Sequence, residues 1–321
     1  MADASRLTRE ESRASTASLI EVEPSPVEET PTEFREDGSY FPVDEKDEAV
    51  PDGARTPFLS RSGTLVGIGH HGPAFYLTRI QRYSTYAFTI FGTFHITNTS
   101  IIPLITQSVP TADTYLLLTR PYYQSLPFEP LLITGAVGLH IASGIALRLF
   151  RRRQQIHRYG ADTFAERRSI KWPPVSWTSA TGYIFAPLAI GHAFINRVLP
   201  LMWEGGSANV GLEYVSHGFA KHPIVSWVGF SALVVAGSWH MVSGWAKWMG
   251  WLPTQATAWS SDIELIRKRR FYLVNGAAAA IAGLWLAGGL GVVGRGGEAT
   301  GWLAKEYDFL YSKIPIVGPY L

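Results

Sequence analysis

Five apolar segments constrain this chain more than any other feature. They cover about residues 83–108, 128–149, 178–202, 224–248 and 271–294. Each approaches the roughly 20 apolar residues that a helix needs to cross a hydrocarbon core. Because backbone polar groups inside a bilayer must find partners within the protein, such a segment crosses as a helix. The sequence therefore predicts an all-α integral membrane protein with five transmembrane helices.

Basic residues predict how these helices are oriented. They cluster before the first segment, in the loop after the second and before the fifth: Arg79, Arg82, Arg151, Arg152, Arg153, Arg158, Arg167, Arg168, Lys171, Arg267, Lys268, Arg269 and Arg270. Loops rich in Lys and Arg stay on the cytosolic side of a membrane. We therefore expect a cytosolic N-terminus and, because five is odd, a C-terminus on the opposite side.

Two apolar segments carry the same pattern around a histidine. The second contains His140-Ile-Ala-Ser143-Gly144-Ile-Ala, and the fourth contains His240-Met-Val-Ser243-Gly244-Trp-Ala. In the first and third segments, His95 and His192 each stand eight residues before a Pro-Leu pair. These matches predict that the first four helices form a duplicated two-helix unit, a four-helix bundle of the cytochrome b type.

The four histidines are the candidate metal ligands. The chain has no cysteine, so metal or redox chemistry must rest on histidine or on a bound cofactor. On a helix, Ser143 and Gly144 share a face with His140, and Ser243 and Gly244 share a face with His240, which leaves a gap where a flat macrocycle can lie. We expect His140 with His240, and His95 with His192, to bind one or two b-type haems.

The alternative is a purely structural role, in which the four histidines hydrogen-bond to helix backbones or to the two serines. An ionisable residue inside a membrane is nevertheless a functional candidate by default. The other five histidines, His70, His71, His157, His217 and His222, fall in linkers and loops, and we expect them to be solvated.

The N-terminal tail differs from the rest of the chain. Residues 1–55 contain 15 Asp and Glu against 6 Lys and Arg and few large apolar groups, a composition typical of disorder. Its most apolar piece runs from Leu19 through Ile20 and Val22 into Pro24-Ser-Pro26. Such a segment can pair as an extra strand with the exposed edge of a partner's β-sheet, and the prolines would end that pairing. A Pro-x-Pro sequence also arises by chance in a proline-rich tail.

The histidine helices resemble the haem-binding membrane anchor of succinate dehydrogenase and fumarate reductase. The resemblance covers about residues 80–250 and lies in the His-x-x-x-Gly pattern at His140 and His240 and in one histidine on each of four helices. The basic and polar positions that form a quinone site in those anchors are not matched, so the resemblance implies haem without implying electron transfer.

The whole chain resembles the MDM10-complementing protein family, fungal proteins of the mitochondrial outer membrane. That resemblance implies an adaptor without catalytic activity, which contacts membrane lipids and recruits a chorein-type bridge lipid-transfer protein. The recruiting motif maps onto Ile20, Val22, Pro24 and Pro26. A membrane oxidoreductase and a lipid scramblase are the alternatives, the latter suggested by Asn98, Asn196 and Arg197 within or near the spans. No nucleic-acid partner is expected.

These inferences divide the chain into five parts. They are a cytosolic acidic tail, a first two-helix repeat, a basic cytosolic loop, a second two-helix repeat, and a fifth span with a C-terminal segment in the intermembrane space: residues 1–70, 71–150, 151–176, 177–250 and 251–321.

Overall fold

The computed structural model describes residues 72–257, 262–315 and 318. All of them belong to one compact unit, Gly69–Leu321. The predictions for the acidic tail, including its disorder and the roles of Ile20, Val22, Pro24 and Pro26, lie outside the described residues, as do His70 and His71.

Five helices of the described part are long and apolar enough to cross a membrane, which confirms the predicted all-helical, five-span fold class. Together with four shorter helices they form, in chain order, α1 Pro73–Thr106, α2 Val109–Gln124, α3 Glu129–Arg158, α4 Phe164–Ser169, α5 Trp177–Glu204, α6 Leu212–Lys221, α7 Pro223–Trp248, α8 Ile263–Gly289 and α9 Gly301–Ser312. The spans are α1, α3, α5, α7 and α8. No strand occurs among the described residues.

Three spans contain a wider, π-helical turn. It covers Thr97–Ile101 in α1, Phe194–Val198 in α5 and Glu129–Gly135 in α3. In α1 and α5 the turn begins two residues after the histidine and ends shortly before Pro103 or Pro200. A proline has no N–H for the regular helical bond, and π-turns are frequent near functional sites. The correspondence supports the predicted duplication of the two-helix unit, which stays a prediction.

The spans pack as two hairpins and a fifth helix. The closest backbone packing joins α1 to α3 and α5 to α7, and α8 packs against α7. The fifth helix also meets the π-turn of α1, where Ser100 Oγ donates to the carbonyls of Leu284 and Trp285 at 3.1 and 2.9 Å. A side chain at Gly288 would overlap the Ser100 carbonyl. Small residues in α8 therefore let two membrane helices approach closely.

Gly288→Ala is expected to destabilise the bundle. The added methyl would overlap the backbone of Ser100, and such overpacking costs roughly 1–3 kcal/mol. The measurement is the melting temperature of the purified protein in detergent. Gly283→Ala is the matched control, because nothing lies within 4 Å of its added carbon. Equal melting temperatures for the two variants would contradict the packing of α8 on α1.

Beyond one end of the spans, α2, α6 and α9 fold into a small cap. Its first core contains Val109, Ala112, Leu116, Leu212 and Val293, and its second contains Val210, Tyr214, Ala299, Tyr307 and Leu310. Asp113 of α2 accepts a hydrogen bond from the Leu212 N–H at 2.9 Å and so caps the start of α6. The cap joins segments that are far apart in sequence.

The prediction that His217 is solvated is wrong, because this histidine is fully buried in the cap. Its Nε2 lies 2.9 Å from Asp308 Oδ1, and its Nδ1 accepts a hydrogen bond from the Ala299 N–H at 3.2 Å. His222 is partly buried, whereas His157 is exposed as expected. The burial of His217 follows from α9, whose docking on α6 the sequence pattern did not reveal.

Candidate functional site of paired histidines

The four intramembrane histidines lie in two facing pairs. The ring centroids of His95 and His192 are 5.8 Å apart, and those of His140 and His240 are 5.9 Å apart. Each pair joins one helix of the first hairpin to one helix of the second. These are the pairings that the depth of each histidine in its helix predicts.

The rings of His140 and His240 are held in the same way. His140 Nδ1 lies 3.3 Å from the Gln81 carbonyl oxygen, and His240 Nδ1 lies 3.0 Å from the Thr178 carbonyl oxygen. Because a carbonyl only accepts hydrogen bonds, each Nδ1 carries the proton. Nε2 of each ring then keeps its lone pair, which is the arrangement found in metal-binding histidines.

The second pair is arranged differently. The Asn196 side-chain nitrogen donates to the His192 carbonyl at 2.8 Å and lies 3.3 Å from His192 Nδ1. This contact makes Nδ1 the acceptor and places the ring proton on Nε2. His95 stacks on Phe91 with the ring centroids 5.3 Å apart. His192 would have to change its hydrogen bonding before Nε2 could bind a metal.

The small residues of the repeated motif have unequal surroundings. A carbon added at Gly144 would lie 2.9 Å from the Gln81 side chain, whereas one added at Gly244 would meet nothing within 4 Å. Of these two glycines, only Gly244 therefore borders open space. Ser143 and Ser243 donate to the backbone carbonyls of His140 and His240 at 3.1 and 3.3 Å, and their hydroxyls do not hold the imidazoles.

The residues that position the imidazoles do not stand out in the amino-acid sequence. Gln81 and Thr178 supply the two carbonyls, and a carbon added at Gly182 would lie 2.7 Å from His240 Cε1. Gly182 thus makes room for the His240 ring against α5. The only signal in the sequence is the run of small residues from Thr178 to Gly182, which opens the third span.

The polar residues that suggested a scramblase make contacts within the bundle. Arg197 forms a double hydrogen bond with the Glu129 carboxylate at 2.7 and 2.6 Å and also reaches the Ser207 hydroxyl at 2.7 Å. The Asn98 side-chain nitrogen donates to the Phe94 carbonyl at 2.7 Å, and Asn196 binds the His192 carbonyl. Arg197 and Glu129 therefore tie α5 to α3.

No group of three or more His, Cys, Asp or Glu side chains that could hold a metal ion occurs among residues 72–257, 262–315 and 318. A bare metal ion in a protein commonly takes at least three side-chain ligands. Haem iron, already bound by its macrocycle, takes one or two axial ligands from the protein. Two facing histidines therefore match the needs of haem better than those of a bare ion.

Fold and site together define a multi-pass, all-helical membrane protein with two facing pairs of intramembrane histidines. Residues 187–298 match the family model of the MDM10-complementing protein 1 transmembrane domain. This part of the chain is thus similar to the transmembrane domain of the MDM10-complementing protein family, which bears out the predicted resemblance and supports a mitochondrial membrane protein. The comparisons found no match among curated proteins or solved structures.

Proposed function

We propose that this protein is an adaptor of the mitochondrial outer membrane that recruits a bridge-type lipid-transfer protein through its N-terminal tail. The match to the MDM10-complementing protein 1 transmembrane domain carries this proposal. The tail motif at Ile20, Val22, Pro24 and Pro26 supplies the docking strip that the family resemblance implies. Lipid delivered by the partner would reach the membrane in which the five spans are embedded.

We also propose that the helical bundle binds one b-type haem between His140 and His240. The two rings face each other with their centroids 5.9 Å apart, so both could hold the iron of one haem. The Gln81 and Thr178 carbonyls fix the two rings and leave both Nε2 lone pairs available. A bound haem would supply a one-electron redox centre.

A second haem between His95 and His192 has weaker support, although the spacing of 5.8 Å is equally suitable. The contact with Asn196 favours a proton on His192 Nε2, the atom that would face an iron. One haem at His140 and His240 is therefore the arrangement that the hydrogen bonding favours.

The absorption spectrum of the purified protein tests the haem proposal. Two histidine ligands give low-spin iron, for which we expect sharp bands after reduction. Protein purified from haem-replete cells without such bands would contradict the proposal. A membrane oxidoreductase, the rival function, would in addition oxidise its reduced haem with a quinone at a reproducible turnover. An adaptor is expected to show no such turnover.

The proposed orientation places the tail in the cytosol and the C-terminus in the intermembrane space. Protease added to intact mitochondria is expected to remove a tag before Met1, while a tag after Leu321 stays protected until the outer membrane is opened. The reason is the cluster of basic residues between α3 and α5 and at the start of α8, which holds those loops in the cytosol. A protected N-terminal tag would reverse the orientation or move the protein to the inner membrane.

A further inference from the structure

The end of the second span and its link to the third, residues 148–177 and here called the 148–177 connection, have a defined structure. Its short helix α4 begins with a capping box, in which the Thr163 hydroxyl accepts from the Glu166 N–H at 3.3 Å. In return, Glu166 Oε2 accepts from the N–H groups of Asp162 and Thr163 at 2.9 Å. Both members of the box are satisfied, which stabilises the start of α4.

A buried arginine ties this connection back to α3. Arg152 is 7% exposed, and its guanidinium donates to the backbone carbonyls of Lys171 and Arg167 at 3.0 and 2.5 Å. The same guanidinium lies 5.1 Å from the centre of the Trp172 ring, and that of Arg148 lies 5.7 Å from it. Arg152 therefore serves as a structural anchor that holds the residues after α4 against the end of the span.

The remaining positive charge of the connection is exposed. Four of its cationic side chains face solvent without a carboxylate partner among the described residues: Arg153, Arg158, Arg168 and Lys171. The connection has two acids, Asp162 and Glu166. Hydrogen bonds from Thr163 lower the pKa of Glu166, so its carboxylate stays charged while it caps α4. These four exposed cations are therefore available to pair with an anionic group from outside the chain.

Large aromatic side chains stand among these cations. Phe164 is 81% exposed, Tyr159 is 69% exposed and Trp177 is 66% exposed. Because the connection begins and ends at transmembrane helices, we expect these rings to lie near the level of the lipid headgroups. Aromatic rings are enriched at that level because one side of the interface is apolar and the other is wet.

We propose that the 148–177 connection binds anionic phospholipids of the leaflet on its side of the membrane. The exposed cations would pair with headgroup phosphates, and Phe164 and Trp177 would enter the boundary between headgroups and acyl chains. Clusters of Lys and Arg next to a membrane helix attract anionic lipids, and neighbouring aromatic rings add apolar contact. If these cations served only to set the orientation of the spans, neither the exposed aromatic rings nor the capped helix α4 would be needed.

A single labelled cysteine tests this proposal, because the chain has no native cysteine. Ala165→Cys, exposed beside Phe164, would carry an environment-sensitive fluorophore in protein reconstituted into vesicles. With phosphatidylserine added to phosphatidylcholine, we expect a blue-shifted emission and quenching by nitroxide-labelled lipids. Both effects should fall at high salt, since salt screens charge pairing at a surface.

Charge variants give the second arm. Replacing Arg153, Arg158, Arg168 and Lys171 by glutamine is expected to abolish the phosphatidylserine-dependent shift. The control variant Arg267→Gln, Lys268→Gln and Arg269→Gln lowers the positive charge at the start of α8 and should keep it. An emission that is the same with and without phosphatidylserine would overturn the proposal, as would equal loss in the control. A label that stays water-like on vesicles and shifts only with an added acidic protein would make the connection a protein-docking surface.

Discussion

His140→Ala and His240→Ala are each expected to abolish the low-spin haem spectrum. Each change removes one axial ligand and leaves the iron five-coordinate or the site empty. The facing partner cannot compensate, because its Nδ1 is held by a backbone carbonyl of the preceding span and its ring has one free nitrogen. Haem content and the reduced absorption spectrum of the purified variants are the measurements. A full spectrum in both variants would refute this pair as axial ligands.

Further variants separate ligand loss from misfolding. His95→Ala and His192→Ala are expected to leave the spectrum largely unchanged, whereas a halved haem content would indicate two haems. Gly182→Ala keeps every histidine but places a carbon 2.7 Å from the His240 ring, so we expect reduced haem content. Gly229→Ala in α7, whose added carbon meets nothing within 4 Å, should bind haem normally. Unaltered haem in Gly182→Ala would argue against the proposed position of the His240 ring.

The spans were predictable because a bilayer imposes one requirement on every crossing segment. The apolar window fixes which residues lie in hydrocarbon, but not where the helix ends. The first span was predicted over residues 83–108, but in the structure it runs over Pro73–Thr106. Its first two turns contain polar residues and lie before the predicted apolar segment. Helix ends depend on local features, such as the proline at the first position of α1. Hydropathy does not detect these features.

Depth along a helix also predicted which histidines could face each other, because rise per residue converts sequence position into height. The orientation of each ring could not be predicted, since it depends on backbone carbonyls of another helix. Gln81 lies 59 residues before His140, and Thr178 lies 62 residues before His240. No local pattern links residues at such distances. For the same reason, the contact between Gly182 and the His240 ring could not be predicted.

The cap around His217 shows a different limit of sequence reasoning. Its helices are short, and their apolar faces meet only after α2, α6 and α9 come together from distant parts of the chain. Asp308 and Ala299 satisfy both nitrogens of His217, so a polar residue in an apparent loop became a fully buried one. Hydropathy over a membrane-length window does not detect such a core.

Pro24→Ala combined with Pro26→Ala is expected to abolish recruitment of the bridge-type lipid-transfer partner. A segment that orders on binding loses conformational entropy at that moment, so its affinity must concentrate in a short apolar strip. Here that strip is Leu19, Ile20 and Val22, and the prolines fix where its pairing with a sheet edge ends. The measurements are co-purification of the partner and its localisation to mitochondria in cells with wild-type or doubly substituted protein.

The same double variant should retain membrane insertion and its haem spectrum. The spans satisfy their backbone hydrogen bonds within each helix and pack through residues between Pro73 and Arg295, far from the substituted positions. An unchanged spectrum together with lost recruitment would show that tail and bundle act as separate units. Recruitment that persists in the double variant would move the docking site away from the Pro-x-Pro motif. The exposed cations of the 148–177 connection would then be the next positions to replace, because they could pair with an acidic surface of the partner.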